Sequence, residues 1–393
     1  PQSPEVVMLQ AAVPAYLVAR REPASTSLIA GYPWFGEWGR DAMIALPGLT
    51  LVTGRYAQAR ELLATFIHFM DQGIIPNNFP DDGSEPEYNT IDATMWLFHA
   101  LDRYWAYTQD DAFLKMVYPR LVGAIDWYHR GTHHGIGMDQ DGLIGGASPG
   151  RALTWMDAVV GDWVVTPREG KPVEVNGLWI HALRVMSVLA RKFGETDPYA
   201  EMAERAAASF RGRFWQPGWD SLADRLEIGG FADPTRRPNQ VIAMAMPNHW
   251  LPADLRRRLL ESVDQHLWTP YGLRSLAPDE PGYSGTYEGN RVQRDGAYHQ
   301  GTIWPWLTGS YVTAWMDAAE DKEAERSRWR MRLQPLLDHV ELEGCLGHVA
   351  ELFDGDAPHL PKGCLAQAWS LSELLRAWAE EVEGRKPLGL TEV

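Results

Sequence analysis

The feature that most restricts this chain is an alternation between two kinds of helical segment, joined by connections of two very different lengths. Segments 41–52 ("DAMIALPGLTLV"), 90–103, 177–190 ("GLWIHALRVMSVLA"), 237–250, 302–317 and 364–376 carry few charges, as helices surrounded by protein do. Segments 55–71, 111–130, 198–213, 252–266 and 321–340 set apolar residues at three- and four-residue spacing among many charges, so one face of each should meet solvent. Helix starts agree, since Asp197 followed by Pro198 offers a cap and a first-turn proline, and Pro252 can serve in the same way. An N-terminal helix at about 4–18 brings the count to twelve.

Connections from a charge-poor segment to its charged partner are about two to four residues, with Gly54 and Gly194 ending helices. The reverse connections are long, at roughly 19–39, 72–89, 131–174, 214–236, 267–301 and 342–363. Loops of that length in a compact domain usually carry function. Six hairpins with their charge-poor members inward, closed into a ring, make an all-α fold, an (α/α)6 barrel with every long loop on one rim. Residues 1–393 are expected to form this as one domain. No sequence repeat enforces closure, so an open helical solenoid is the structural alternative.

Charge narrows the partners. With 36 basic and 52 acidic residues the net of −16 repels phosphate backbones and anionic lipid, and the one basic run, "LRRRLL" at 255–260, reads as a helix face. Neither nucleic acid nor membrane is an expected partner. Cys345 and Cys364 are the only cysteines, which excludes a disulfide framework and suits a reducing compartment. No run approaches the roughly 18 apolar residues of a membrane span, and the N-terminus lacks a secretion signal, so a cytoplasmic location is expected.

The long loops hold the chemistry. "GYPWFGEWGRD" at 31–41 sets Tyr32, Trp34 and Trp38 among glycines that let the chain turn sharply, then ends on Arg40 and Asp41. Flat rings suit the C–H faces of a neutral sugar, and an arginine fork beside a carboxylate can fix sugar hydroxyls. The plain alternative is loop packing plus an ion pair at a helix start. The third loop contains Asp157, Asp162, Glu169 and Glu174 among Trp155 and Trp163; an acid beside indole rings is partly desolvated and can hold a proton near neutrality. Asp157 is the general-acid candidate, against the reading that each acid is a cap or a solvated loop residue. The fifth loop adds Arg274, Tyr298, His299, Gln300 and Trp304, where His299 is a base or a structural hydrogen-bonding residue. The sixth loop offers Glu351, Asp354 and Asp356. A carboxylate opposite the acid could activate water across a gap of roughly 6.5–9.5 Å. Its "DGD" lacks the other ligand positions of a calcium loop. Dinucleotide, phosphate-loop, zinc-protease and serine-hydrolase motifs are absent from the sequence, and no cofactor or metal is expected.

The stretches "AGYPWFGEWGRDAMIALPGL", "LTWMDA", "GKPVEVNGLW", "YHQGTIWPW" and "ELFDGDAPHLPKGCLAQAWS" strongly resemble the C-terminal glucosidase domain of glycogen debranching enzymes, over nearly the whole chain. The resemblance implies an (α/α)6 barrel with amylo-α-1,6-glucosidase activity on single glucose stubs of glycogen, limit dextrin or short branched α-glucans. It also implies an inverting mechanism, with Asp157 as general acid, Glu351 as general base, and Arg40 and Asp41 holding the terminal glucose. Tyr32, Trp34, Trp38, Asp92, Trp155, Glu174, Arg274, His299, Gln300 and Trp304 complete the expected sugar-binding set. Relatives of this kind carry further domains ahead of the barrel, so one is expected to be missing here. A phosphate-dependent phosphorylase and a non-catalytic oligosaccharide-binding protein are the competing functions.

Overall fold

The computed structural model of the chain describes residues 2–20, 24–80, 84–247 and 249–393. Its first helices are α1 (Pro4–Ala11), α2 (Gly39–Leu46), which a π turn continues over Pro47–Leu51, α3 (Tyr56–His68), α4 (Ala93–Thr108) and α5 (Asp111–Arg130). There follow α6 (Val173–Phe193), α7 (Tyr199–Phe214), α8 (Gln240–Ala245) and α9 (Ala253–His266). The last are α10 (Arg291–Ala297), α11 (Leu307–Ala318), α12 (Lys322–Leu342) and α13 (Ala368–Arg376), which a second π turn extends over Ala377–Val382.

The charge-poor helices touch in a closed cycle. α2 packs on α4, α4 on α6, α6 on α8, α8 on α11, α11 on α13, and α13 returns to α2. An open solenoid would leave its first and last members apart, so that alternative is set aside. α1 and the charged helices lie outside: α1 against α13, α3 against α4, α5 against α4 and α6, α7 against α6, and α9 and α12 against α11. Burial follows the sequence pattern. In α6 the run Val173–Leu183 is buried without a break, whereas α12 buries only one stripe that includes Trp329, Leu333, Leu336 and Val340. Gly194 ends α6 at φ 74°, and its N–H closes back onto the Ala190 carbonyl, a left-handed turn that favours glycine.

Several helix bounds differ from the sequence expectation, and proline is the main reason. α8 covers six residues rather than 237–250 because Pro247 turns Met246 extended at ψ 140°. Ahead of α11, Pro305 likewise follows a strand at Ile303–Trp304, so this helix starts later than residue 302. The N-terminal segment stops at Ala11 and passes through a short 3-10 turn into a strand at Leu17–Arg20. α10 lies inside the fifth connection, where a loop is expected. Its start is legible all the same: Asn290 and Gln293 form a reciprocal capping box.

The all-α expectation is corrected as well. Two five-stranded antiparallel sheets and three two-stranded ribbons occur among the described residues, because long connections must pair their own N–H and C=O groups. One sheet joins Ser25–Tyr32 to Phe35–Trp38 and, with Gln367 opposite Gly31, to Ala366–Gln367 just before α13. The other joins the fifth and sixth connections through Ile303 opposite Phe353. No described helix is long and apolar enough to cross a membrane.

Candidate active site

The N-terminal ends of α2, α11 and α13 meet at one cleft, with the starts of α4 and α8 behind it through Asp92 on Arg40 and Asn239 on Trp155. Arg40 and Asp41 stand in the first turn of α2, Asp92 precedes α4, Asn239 precedes α8, Trp304 lies just ahead of α11, and Gln367 and Trp369 bracket the start of α13. Converging helix N-termini carry partial positive charge and favour acidic groups there. The cleft encloses about 120 Å³ of free space. Phe35, Trp38, Trp155, Trp304 and Trp369 form its walls, and Arg40, Asp41, Asp157, Tyr298, Glu351 and Gln367 supply its polar groups.

Arg40 organises the acidic side. Its Nε donates to both oxygens of Asp92 at 2.9 Å, and its Nη1 reaches Asp157 Oδ2 at 3.2 Å. Asp92 is fully buried, while 39% of the Asp157 side chain stays open to the cleft. Burial raises the Asp157 pKa, the Arg40 guanidinium opposes the rise, and the Asp92 charge adds to it. Asp41 is pushed up to about 7, first by burial, with Arg40 opposing and the charges of Asp157 and Glu351 adding.

Glu351 enters from the sixth connection. One oxygen accepts the Tyr298 hydroxyl, and Oε2 accepts the Cys364 backbone N–H at 2.6 Å. Burial pushes this carboxyl up to about 7 against those two hydrogen bonds, and the Asp157 charge raises it further. Burial and the Glu351 charge push the Tyr298 phenol well above its ordinary value, so it remains a donor. Burial of all three carboxyls, with the Asp157 charge acting on both Asp41 and Glu351, favours their protonated forms.

Of the residues expected from sequence, Trp38, Arg40, Asp41, Trp155, Asp157, His299, Trp304 and Glu351 line this cleft, with Asp92 behind Arg40. The others do not. Tyr32 donates its hydroxyl to the Ala15 carbonyl at 2.6 Å, and Trp34 is 61% exposed, one ring out from Phe35. Glu174 is buried against Arg168, which also grips Asp224. Arg274 ties to the Gly355 carbonyl at 3.0 Å. Gln300 is spent on Arg237, Val165 and Thr166. Except for the exposed Trp34, each of these side chains is held by a hydrogen-bond partner away from the cleft. Burial and the charges of Arg237, Arg40 and Arg168 hold the His299 pKa well below 6.5, so its ring is neutral, and it stacks on Trp304 at 5.1 Å. Asp354 and Asp356 brace the sixth connection, accepting from the Tyr287 N–H and the Tyr283 hydroxyl.

Phe35, Gln367 and Trp369 also line the cleft and lie outside the expected binding set, as does Tyr298, which the fifth loop offered without an assigned role. All four lie in or beside stretches singled out in the sequence; for Gln367 and Trp369 the missing signal was position at the start of α13 rather than residue type. A wider groove of about 510 Å³ is lined by Arg130, Lys171, Arg213 and Gly229, and there Lys171 and Arg213 are both paired to Asp141.

Comparison with known proteins fits this geometry. The sequence profile of the amylo-alpha-1,6-glucosidase family matches residues 11–376. A glycogen debranching enzyme of Saccharomyces cerevisiae is 25% identical over 384 aligned residues, which cover 73% of this chain and 25% of the yeast protein. The chain thus spans about a quarter of that relative. Among solved structures, the GH63 mannosylglycerate hydrolase from Thermus thermophilus aligns with a TM-score of 0.68 at 14% identity, over 95% of this chain and 100% of its own. A rhamnosidase from Klebsiella oxytoca aligns at 0.61 and 13% identity, over 98% of this chain and 65% of its own. These two share the fold. The glycosidase character rests on the family profile, and on that match the chain belongs to the amylo-alpha-1,6-glucosidase family.

Proposed function

We propose that this chain is an exo-acting, inverting α-1,6-glucosidase on an (α/α)6 barrel, which removes single glucose stubs from glycogen, limit dextrin or short branched α-glucans. The observation that carries the reading is that Asp157 and Glu351, from separate connections, line one cleft, where the Asp157 charge raises the Glu351 pKa. Asp157 transfers its proton to the glycosidic oxygen as the C1–O bond breaks. Glu351 takes a proton from water while that water's oxygen bonds to C1 from the opposite face. The products are glucose and a chain with a free 6-hydroxyl. Asp157 then regains a proton from solvent and Glu351 loses one.

Arg40, Asp41 and Gln367 are nearly buried and make a closed end that suits one terminal sugar, which supports exo action. Arg40 is the one permanent cation among the described lining residues, and it is already engaged by Asp92 and Asp157. A phosphorylase would need free cations to hold phosphate in place of water, so hydrolysis is the better-supported reaction.

A maltooligosaccharide bearing one α-1,6-linked glucose tests this directly. Free glucose should form at the same rate with and without inorganic phosphate. Glucose 1-phosphate appearing only when phosphate is present would replace hydrolysis by phosphorolysis, and no product over long incubation would reduce the protein to a binder.

A further inference from the structure

The cleft accounts for one terminal glucose and leaves the rest of the substrate without a partner. The leaving chain has to pass the acid and cross the rim, because Arg40, Asp41 and Gln367 close the other end. Beyond Asp157 the chain folds into a two-stranded ribbon, Val159–Val160 paired with Trp163–Val164, whose base is tied by the Val165 N–H on the Ala158 carbonyl at 3.1 Å. Trp163 stands on this ribbon 49% exposed.

Its indole is not a loose surface ring. The ribbon packs on α10, and the far edge of the indole lies so close to Gly296 that a Cβ there would sit 3.2 Å from Cη2. Gly296 is two residues ahead of Tyr298, whose hydroxyl holds Glu351. The ring therefore bridges the segment that carries the acid and the segment that positions the base, with about half its surface left to solvent. A half-exposed indole fixed from one edge offers a flat apolar platform at low entropic cost.

We propose that Trp163 is the platform for the first sugars of the leaving chain, on the side of the scissile bond away from the terminal glucose. The inference rests on the glucosidase reading and adds to it the residue that selects an α-glucan as leaving group. A leaving group without sugars never reaches the ring, so its turnover is set by the closed end of the cleft alone.

The test compares two substrates in the full chain: the singly branched maltooligosaccharide and α-glucosyl fluoride. In Trp163→Ala the ratio of kcat/KM for the branched substrate to that for the fluoride should drop about tenfold, mainly through KM, in line with the loss of one aromatic contact. Trp163→Phe, which keeps a flat ring, should recover most of that ratio. Equal losses on both substrates, or no change in the ratio, would overturn the platform. A parent enzyme inactive on both would overturn the glucosidase reading and the platform with it, whereas an active parent with an unmoved ratio overturns the platform alone.

Discussion

Replacing Glu351 with glutamine should lower kcat on the branched substrate by about 10²–10⁴-fold, the range that a positioned acid or base contributes. The amide keeps the shape, its oxygen accepting from the Cys364 N–H while its NH2 donates to the Tyr298 hydroxyl oxygen in place of the bond that Glu351 accepts, but it cannot take a proton from water. Asp157→Asn should fall by a similar factor, because the leaving oxygen then departs unprotonated. The double variant should cost far less than the product of the two, since both act on one transition state. If either amide variant retained nearly full turnover, its assigned role would be wrong.

The same carboxyl sets the pH response. Glu351 must be ionised to act, and its folded pKa of about 7 stands above the ordinary 4.5. Activity of the parent should therefore fall as pH drops through about 7, and a limb near 4.5 would mean the carboxyl is not buried as described. For stability the sign is reversed. A carboxyl whose pKa rises on folding binds its proton more tightly in the folded state, so its stabilising contribution is complete below about 4.5 and is lost as pH climbs through about 7. Glutamine has no such penalty, and the variant should melt no lower than the parent at about pH 8.

Arg168→Met should be the most destabilising single change considered, by about 3–5 kcal/mol, through loss of a buried ion pair's cation. The guanidinium holds Glu174 and Asp224 together, with Nη2 to Glu174 Oε2 at 2.8 Å and Nε to Asp224 Oδ2 at 2.8 Å, and all three side chains are 3% exposed or less. Methionine fills much of the volume but leaves two carboxyls without their cation. Asp224 in turn accepts from Asn239 at 2.7 Å, and Asn239 accepts from the Trp155 indole at 2.7 Å. The damage should thus reach the cleft wall and appear as a raised KM in whatever fraction stays folded. A denaturant midpoint close to the parent's would show that this cluster contributes little.

The ring of helices was legible because charge-poor and charged segments alternate, and α6 and α12 illustrate the two extremes of burial. The short strands were not. They arise where long connections meet in space, as at Ile303 opposite Phe353, and no local spacing in the sequence records that pairing. The same limit governs the site. Arg40, Asp41, Asp157 and Glu351 stand in distinctive stretches and could be named from sequence, whereas Glu174 and Gln300 look equally suitable as residue types. What removed them was a partner far along the chain, Asp224 sharing Arg168 with Glu174 and Arg237 engaging Gln300. Gln367 was overlooked for the opposite reason: a neutral amide signals nothing until α13 begins beside Asp41, 3.4 Å from its Nε2.

The proposed pairing of Asp157 with Glu351 leads to one stereochemical outcome, since water activated across the cleft attacks the face opposite the departing chain. Proton NMR of the first minutes of digestion of a singly branched maltooligosaccharide, before mutarotation mixes the anomers, reads that outcome. β-Glucose should appear first. α-Glucose as the initial product would contradict the acid and base assignment on which the mechanism stands.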